Sequence, residues 1–256
     1  MNIENNDKIK KIMQLRPHGM ILTSKWLHEI GYSYSLLQQY RNLGWLESIG
    51  NGAMIRKGDK VDVFGGIYSL QTQLGLLIYP GAKSALTYLG KAHYLMMGSP
   101  TLYLFGNTGE KLPEWFVSRD WGVQVKYFST RFMPHSLSRT NYEINGFDIM
   151  ISSTARALME CLYLVPQEQE LEECYQFMSS LNNLHPSDVQ ELLEVCNSIK
   201  VKRLFLYLAE KVNHGWFKYL NIERINLGAG DRNIVKGGIY IAKYKITVPK
   251  ELEKNA

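Results

Sequence analysis

Residues 33–57 read SYSLLQQYRNLGWLESIGNGAMIRK. Leu36, Leu37, Tyr40 and Leu43 recur at the spacing of one helix face, while Tyr34, Ser35, Gln38, Arg41 and Asn42 fall opposite. Ser33 stands where a hydroxyl can accept a free backbone N–H at a helix start. Gly44 stands where the chain must leave the helix through the left-handed region. Residues 45–49 and 53–57 then flank Gly50-Asn51-Gly52, a hairpin turn signal. A short helix with a polar face, followed by a basic hairpin, is the layout of a winged helix-turn-helix.

The residues before this stretch complete the layout. Ile9, Ile12 and Met13 form an apolar stripe among lysines in a first helix, and Pro17-His18-Gly19 breaks it. Thr23 is placed to cap a second helix over 24–30, with Trp26, Leu27 and Ile30 inward, and Gly31 stops it. Helix, glycine turn and helix form the helix-turn-helix signature, whose second helix enters the major groove of DNA. Gln38 and Gln39 are the side chains that pair with adenine, and Arg41 pairs with guanine. Tyr34 and Ser35 lie at the start of the reading helix. Thr23 and Lys25 suit a phosphate at the preceding helix start, and Arg56 and Lys57 suit backbone contact from the hairpin. A helical triad with a hairpin can also dock proteins, so a protein-binding module is the competing expectation.

Behind this module the chain reads as α+β. Domains are expected at 1–65 (the winged helix-turn-helix) and 66–256. The latter divides into a mixed sheet over 66–151, a helical block over 152–213 and terminal strands over 214–256. A strand is expected over 61–70, bent at Gly65-Gly66, then a short helix over 71–79 and a longer one over 82–97 that includes His93. Strands follow at 101–105 and 123–128, with Trp115 and Phe116 anchoring a short helix between them. Asn145-Gly146 marks a second hairpin. Helices are expected at 153–165, 168–180, 187–197 and 198–213, with Ser187 and Gln190 as a capping box. In the last of these, Leu206 and Ile199 fall outside the main apolar stripe, which leaves them for a second layer or a partner. Strands at 238–242 and 245–248 precede a polar tail expected to fray.

Composition limits the function classes. Of 256 residues, 45% are hydrophobic and 21% charged, ordinary for a globular protein. No apolar run reaches the roughly 18–20 residues of a membrane span, and residues 1–15 lack the apolar core of a signal peptide. A cytoplasmic protein without membrane contact is the expectation. The three cysteines sit on apolar helical stripes and read as core residues. Net charge is +5, but residues 150–197 carry −7 and residues 198–256 carry +7. Basic ends flanking an acidic block suggest polyanion contact, or packing of the block against the tail. The six histidines show no metal-ligand spacing, and neither a P-loop, a dinucleotide fingerprint nor a nucleophile elbow occurs. No enzyme and no cofactor are expected. Lys200, Arg203, Arg232 and Lys236 are the candidates for a second anionic or partner contact, around the loop Gly228-Ala229-Gly230.

The chain resembles the AbiEi-type antitoxins, transcriptional regulators of bacterial AbiE toxin–antitoxin systems. The resemblance is carried, in order, by GYSYSLLQQYRNLGWLESIGNGA at 31–53, GGIYSLQTQLGLLIYPGAKSALTYLGKAHYL at 65–95 and LPEWF at 112–116. It continues with ISSTARALMECL at 151–162, SIKVKRLFLYLAEKVNHGWF at 198–217 and INLGAGDRNIVKGGIYIAKYKITVP at 225–249. It implies a winged helix-turn-helix that binds inverted repeats in double-stranded promoter DNA. It also implies a C-terminal domain that counteracts a nucleotidyltransferase-like toxin in abortive phage defence, in a type IV arrangement where toxin and antitoxin form no stable complex. Departures from the family pattern are Thr154-Ala155 for Pro-Glu, Asp231 for a basic residue, and His214-Gly215-Trp216 for His-Pro-Trp.

Overall fold

The computed structural model describes residues 3–91 and 100–254. It begins with α1 (Ile3–Gln14), β1 (Leu22–Thr23), α2 (Ser24–Glu29), α3 (Tyr34–Asn42), β2 (Leu46–Gly50) and β3 (Ala53–Arg56). The strands form one antiparallel sheet in the order β1-β3-β2, the element order expected for a winged helix-turn-helix. Ser33 caps α3 as its position requires, its hydroxyl accepting the Leu36 N–H at 3.2 Å. Past the helix, Gly44 takes φ +72°. Its N–H reaches the Arg41 carbonyl, and the Trp45 N–H reaches that of Tyr40. That pair of bonds satisfies the carbonyls the helix end would otherwise leave open. Thr23 precedes α2 without capping it through its side chain. Its N–H goes instead to Gln73, and the Ser24 N–H bonds the Gly52 carbonyl in the hairpin turn.

The expected strand over 61–70 is a helix, α4 (Val63–Thr72). Asp62 starts it by accepting the N–H groups of Phe64 and Gly65 at 2.9 and 3.0 Å. Val63, Ile67 and Leu70 are buried at helical spacing. The two glycines serve close approach rather than a bend. A Cβ on Gly65 would stand 2.1 Å from the Gly19 carbonyl oxygen, and one on Gly66 would stand 2.9 Å from the Phe116 ring. Ser69 and Gln73 fasten α4 to the first sheet by donating to the Ile21 carbonyl. Residues 71–79 therefore finish α4 and run on as a loop, with no separate helix. The position 65/66 falls in the first turn of α4, and one hydrophobic core runs from Ile9 and Ile12 through Ile67 to Leu104, Phe116 and Ile149.

Next come β4 (Tyr79–Pro80), α5 (Ala82–Tyr88), β5 (Thr101–Asn107), α6 (Glu114–Val117) and β6 (Gln124–Thr130). The sheet order is β4-β5-β6, with β4 antiparallel and β6 parallel to β5, a mixed sheet as expected. Of the helix expected over 82–97, residues 82–88 are helical and the chain leaves the helix through Leu89 and Gly90, the latter at φ +67°; His93 and the rest of that expectation lie outside the described residues. β7 (Arg139–Ile144) and β8 (Phe147–Ser152) pair around Asn145-Gly146, both at positive φ.

The helical block holds α7 (Thr154–Leu164), α8 (Leu171–Ser179), α9 (Pro186–Val195) and α10 (Ile199–Val212). The capping box expected at Ser187 and Gln190 does not form. His185 occupies the cap position, Pro186 enters the first turn, and Gln190 bonds Glu194 and both backbone groups of Asn221. α10 is buried on every side, so Leu206 is no surface residue: its exposure is 0%. The layer beside it is built from β9 (Arg232–Asn233), β10 (Ile239–Ile241), β11 (Ile246–Val248) and α11 (Lys250–Lys254). Tyr207 and Lys211 both donate to Glu253, at 2.5 and 3.1 Å. The tail expected to fray is thus a helix tied to the core, with Leu252 buried. Cys161, Cys174 and Cys196 are free and buried, and burial pushes each thiol pKa up.

Candidate nucleic-acid interface

Burial of Leu36, Leu37 and Tyr40 turns the opposite face of α3 outward. Tyr34, Ser35, Gln38, Gln39 and Asn42 are exposed, and Arg41 is half-buried. Tyr34, 57% exposed, stacks on His28 of α2 at 4.8 Å between ring centroids. Ser35 and Ser33 hydroxyls lie 3.0 Å apart. Along the face, Arg41 donates to the side-chain Oε1 of Gln38, and Gln38 Nε2 donates to Asn42 Oδ1 at 3.0 Å. These donors and acceptors match the edges of bases in a major groove. Lys25 is exposed at the start of α2. Lys57 is exposed with its ammonium 3.8 Å from where a Cβ on Gly44 would lie. There, past the C-terminus of α3, a cation is favoured by the helix dipole.

Two residues expected at the interface lie inside the fold. Arg56 is 2% exposed. Its Nε donates to Asp59 at 2.8 Å, and its other nitrogens donate to the carbonyls of Leu15 at 2.6 Å, Ile12 at 3.4 Å and Pro17 at 3.3 Å. Those carbonyls belong to the last turn of α1 and the loop after it, so Arg56 joins that corner to the hairpin and has nothing left for a phosphate. Thr23 is buried, with its hydroxyl enclosed. The hairpin tip, Asn51-Gly52, carries no cation, and Gly50 (φ +145°) lies against α6: a Cβ there would stand 2.8 Å from that of Trp115.

Of the four cations expected to form a second contact, Arg203 and Arg232 meet at Gly230, while Lys200 and Lys236 are held elsewhere. Lys200 donates to the carbonyls of Tyr163 and Val165 at 2.7 and 2.5 Å, and burial pulls its pKa down. Arg203 is 1% exposed and gathers the carbonyls of Leu227, Gly228, Gly230 and Lys245. It builds the glycine loop rather than serving it. Arg232 and Lys236 are exposed, but Lys236 lines a cleft of about 550 Å³ in which it and Lys250 are outnumbered by Glu170, Glu172 and Glu251, a balance that does not favour an anion.

Residues 5–97 match the family described as transcriptional regulator, AbiEi antitoxin N-terminal domain, and residues 99–249 match transcriptional regulator, AbiEi antitoxin, type IV TA system. The chain belongs to the AbiEi antitoxin family. This AbiEi-family chain is a transcriptional-regulator antitoxin of a type IV toxin–antitoxin system. Its fold is similar to that of the RV2827C protein from Mycobacterium tuberculosis, a crystal structure with TM-score 0.60 at 12% identity, covering 100% of this chain and 95% of that one. No curated protein sequence matches it significantly. Among the described residues, no cluster could hold a metal ion and no helix is long and apolar enough to cross a membrane.

The C-terminal part of this AbiEi chain contains a polar centre that the sequence reading missed. Arg156 and Glu160 sit one turn apart on α7, fully buried, with Nε to Oε1 at 2.9 Å. Arg156 also donates to Tyr79 Oη at 2.7 Å and to the carbonyls of Pro134 and Leu137. Glu160 Oε2 accepts from the Ala82 N–H and the Ser152 hydroxyl. His135 Nδ1 lies 3.1 Å from Tyr79 Oη, and its Nε2 lies 2.7 Å from the Thr130 carbonyl. Burial raises the Tyr79 pKa and lowers that of His135. This centre ties β4, α5, β8 and α7 together. The signal in the sequence was Arg and Glu at i, i+4 inside the otherwise apolar run ARALMECL.

Proposed function

We propose that this antitoxin reads double-stranded promoter DNA with α3 and represses its own operon. In this scheme the chain behind residue 65 counters a nucleotidyltransferase-like toxin. The outward row of exposed Gln38, Gln39 and Asn42 with half-buried Arg41 carries the proposal, because the helix there presents base-pairing side chains on a buried apolar footing. Gln38, Gln39 and Arg41 contact base edges. Tyr34, Ser35, Lys25 and Lys57 contact the backbone beside them. Arg56 and Thr23 act only through the fold. The competing protein-docking reading keeps the opposite charges of residues 150–197 and 198–256 but loses Leu206, which is buried.

Footprinting of the full chain on its native promoter, repeated across salt concentrations, tests the proposal. Protection of an upstream repeat that weakens steeply with salt is expected. Gln38→Ala should relax sequence preference by about 1–3 kcal/mol at the position it reads. Lys57→Ala should weaken binding evenly and reduce the salt slope by about one phosphate contact. Absence of protection by the wild-type chain refutes the proposal. Equal loss on specific and random DNA for Gln38→Ala refutes the role given to that residue.

A further inference from the structure

We propose that the cavity behind α6 binds a small monoanionic aromatic carboxylate. The cavity measures about 410 Å³, within the usual range for small-molecule sites. Phe116, Trp121, Val125 and Tyr127 are among the side chains of its wall, and Lys111, Arg119 and Asp120 are its charged groups. The polar atoms of the aromatic wall are already engaged. Trp121 Nε1 donates to the Phe116 carbonyl at 2.7 Å, and Tyr127 Oη donates to that of Glu110 at 2.9 Å. Each ring is therefore held in place. Phe116 and Trp121 lie 5.0 Å apart at 42° and offer a flat ring apolar contact.

The charged side of the cavity selects the anion. The Arg119 guanidinium lies over the Trp121 ring, 5.3 Å from its centroid. Its Nε is closed to solvent and makes no hydrogen bond. No carboxylate pairs with Arg119 among the described residues. Arg119 is half-buried, and a carboxylate is the acceptor whose planar geometry fits the terminal nitrogens of a guanidinium facing the cavity. Asp120 is fixed beside it by accepting the Gly122 N–H at 2.8 Å. With Lys111 and Arg119 opposed by Asp120, the cavity carries net charge +1. That balance suits a monoanion and opposes a dianion such as phosphate. The wall supplies apolar contact for the body of the ligand, and Arg119 supplies its polar anchor.

The site stands apart from the proposal that α3 reads DNA, and its test needs no DNA. Titration calorimetry of the full chain would use 1-naphthoate as probe, 1-naphthamide as its neutral counterpart and inorganic phosphate as competitor. Saturable single-site binding of naphthoate is expected. Arg119→Met should weaken it about tenfold or more, as loss of a charge-assisted bond does, and leave the weak binding of naphthamide unchanged. Val117 lies at the cavity edge and is 67% exposed, so Val117→Glu keeps the fold and should weaken naphthoate by repulsion, which carries the test if Arg119→Met unfolds. Absence of saturable binding overturns the proposal, as does equal affinity in the variants. Displacement of naphthoate by phosphate overturns the ligand class.

Discussion

Replacing Arg56 with methionine separates a residue that builds the N-terminal module from one that, under the proposed function, touches nucleic acid. The guanidinium is almost wholly enclosed, pairs with Asp59, and serves three carbonyls around the end of α1. Methionine keeps much of the stem and removes every donor. Asp59 is only 14% exposed, but it keeps the Gly19 N–H at 3.2 Å as a partner. The loss therefore falls below that of a fully buried pair, at about 2–4 kcal/mol. For a chain of this length each kcal/mol moves the unfolding midpoint by roughly 2–4 °C, so a drop of about 5–15 °C is expected. Thermal unfolding followed by circular dichroism measures that drop. Binding to promoter DNA well below the transition should keep the wild-type salt slope, in contrast to Lys57→Ala, which should lower the slope and leave the midpoint in place. An Arg56→Met variant that melts with the wild type yet loses salt-dependent binding would refute the structural role.

Two further perturbations probe the rest of the fold. His135 is buried and its pKa is lowered, so the unfolded chain takes up a proton near pH 6.5 that the folded chain refuses. Its contribution to stability is complete above about pH 6.5 and is lost as pH falls toward the folded-state pKa; the melting midpoint should decline between pH 7.5 and 5.5, and His135→Gln should flatten that decline. An equal decline in both proteins would show that other groups carry it. Gly65→Ala would press a methyl group to 2.1 Å from the Gly19 carbonyl oxygen, and rigid backbone on both sides makes a loss of about 3 kcal/mol or more the expectation. Urea unfolding would measure it, and a neutral result would place the α4 contact elsewhere.

Helix α3 was legible because its information is local. Cap, apolar stripe and glycine exit all lie within residues 33–44, and turn chemistry fixes the hairpin after them. The hairpin at Asn145-Gly146 and the helices α7 and α10 were legible for the same reason. The failures share a different cause. Glycine has low intrinsic preference for helix, and the helical spacing of Val63, Ile67 and Leu70 was outweighed by Gly65-Gly66, whose reason is a contact with residues 19 and 116. Arg56 and Arg203 look alike in sequence to cations that meet phosphate. Only tertiary structure reveals that carbonyls of Leu15 and Leu227 consume their donors. Leu206 stood off the main stripe of α10 because sequence periodicity assumes one covered face, whereas the terminal strands and α11 supply a second layer.

The same long-range contacts decide how the reading module is held. α3 rests on Tyr40, whose core continues through Ile67 of α4 and Leu104 of β5 to Ile149 of β8. Gly50, at the end of β2, lies against Trp115, and Gln73 holds the backbone ahead of α2. A module anchored at three separate places cannot swing as a body on a linker, which leaves its side chains as the mobile part of any approach to DNA. Gln38, Arg41 and Asn42 already hold one another in a hydrogen-bonded row. Binding a base edge must exchange those bonds for new ones, so the net gain per base depends on how well the new acceptors replace the old. Sequence preference in such a helix is then a property of the row, and replacing Gln38 should alter the base chosen by Arg41 as well as its own.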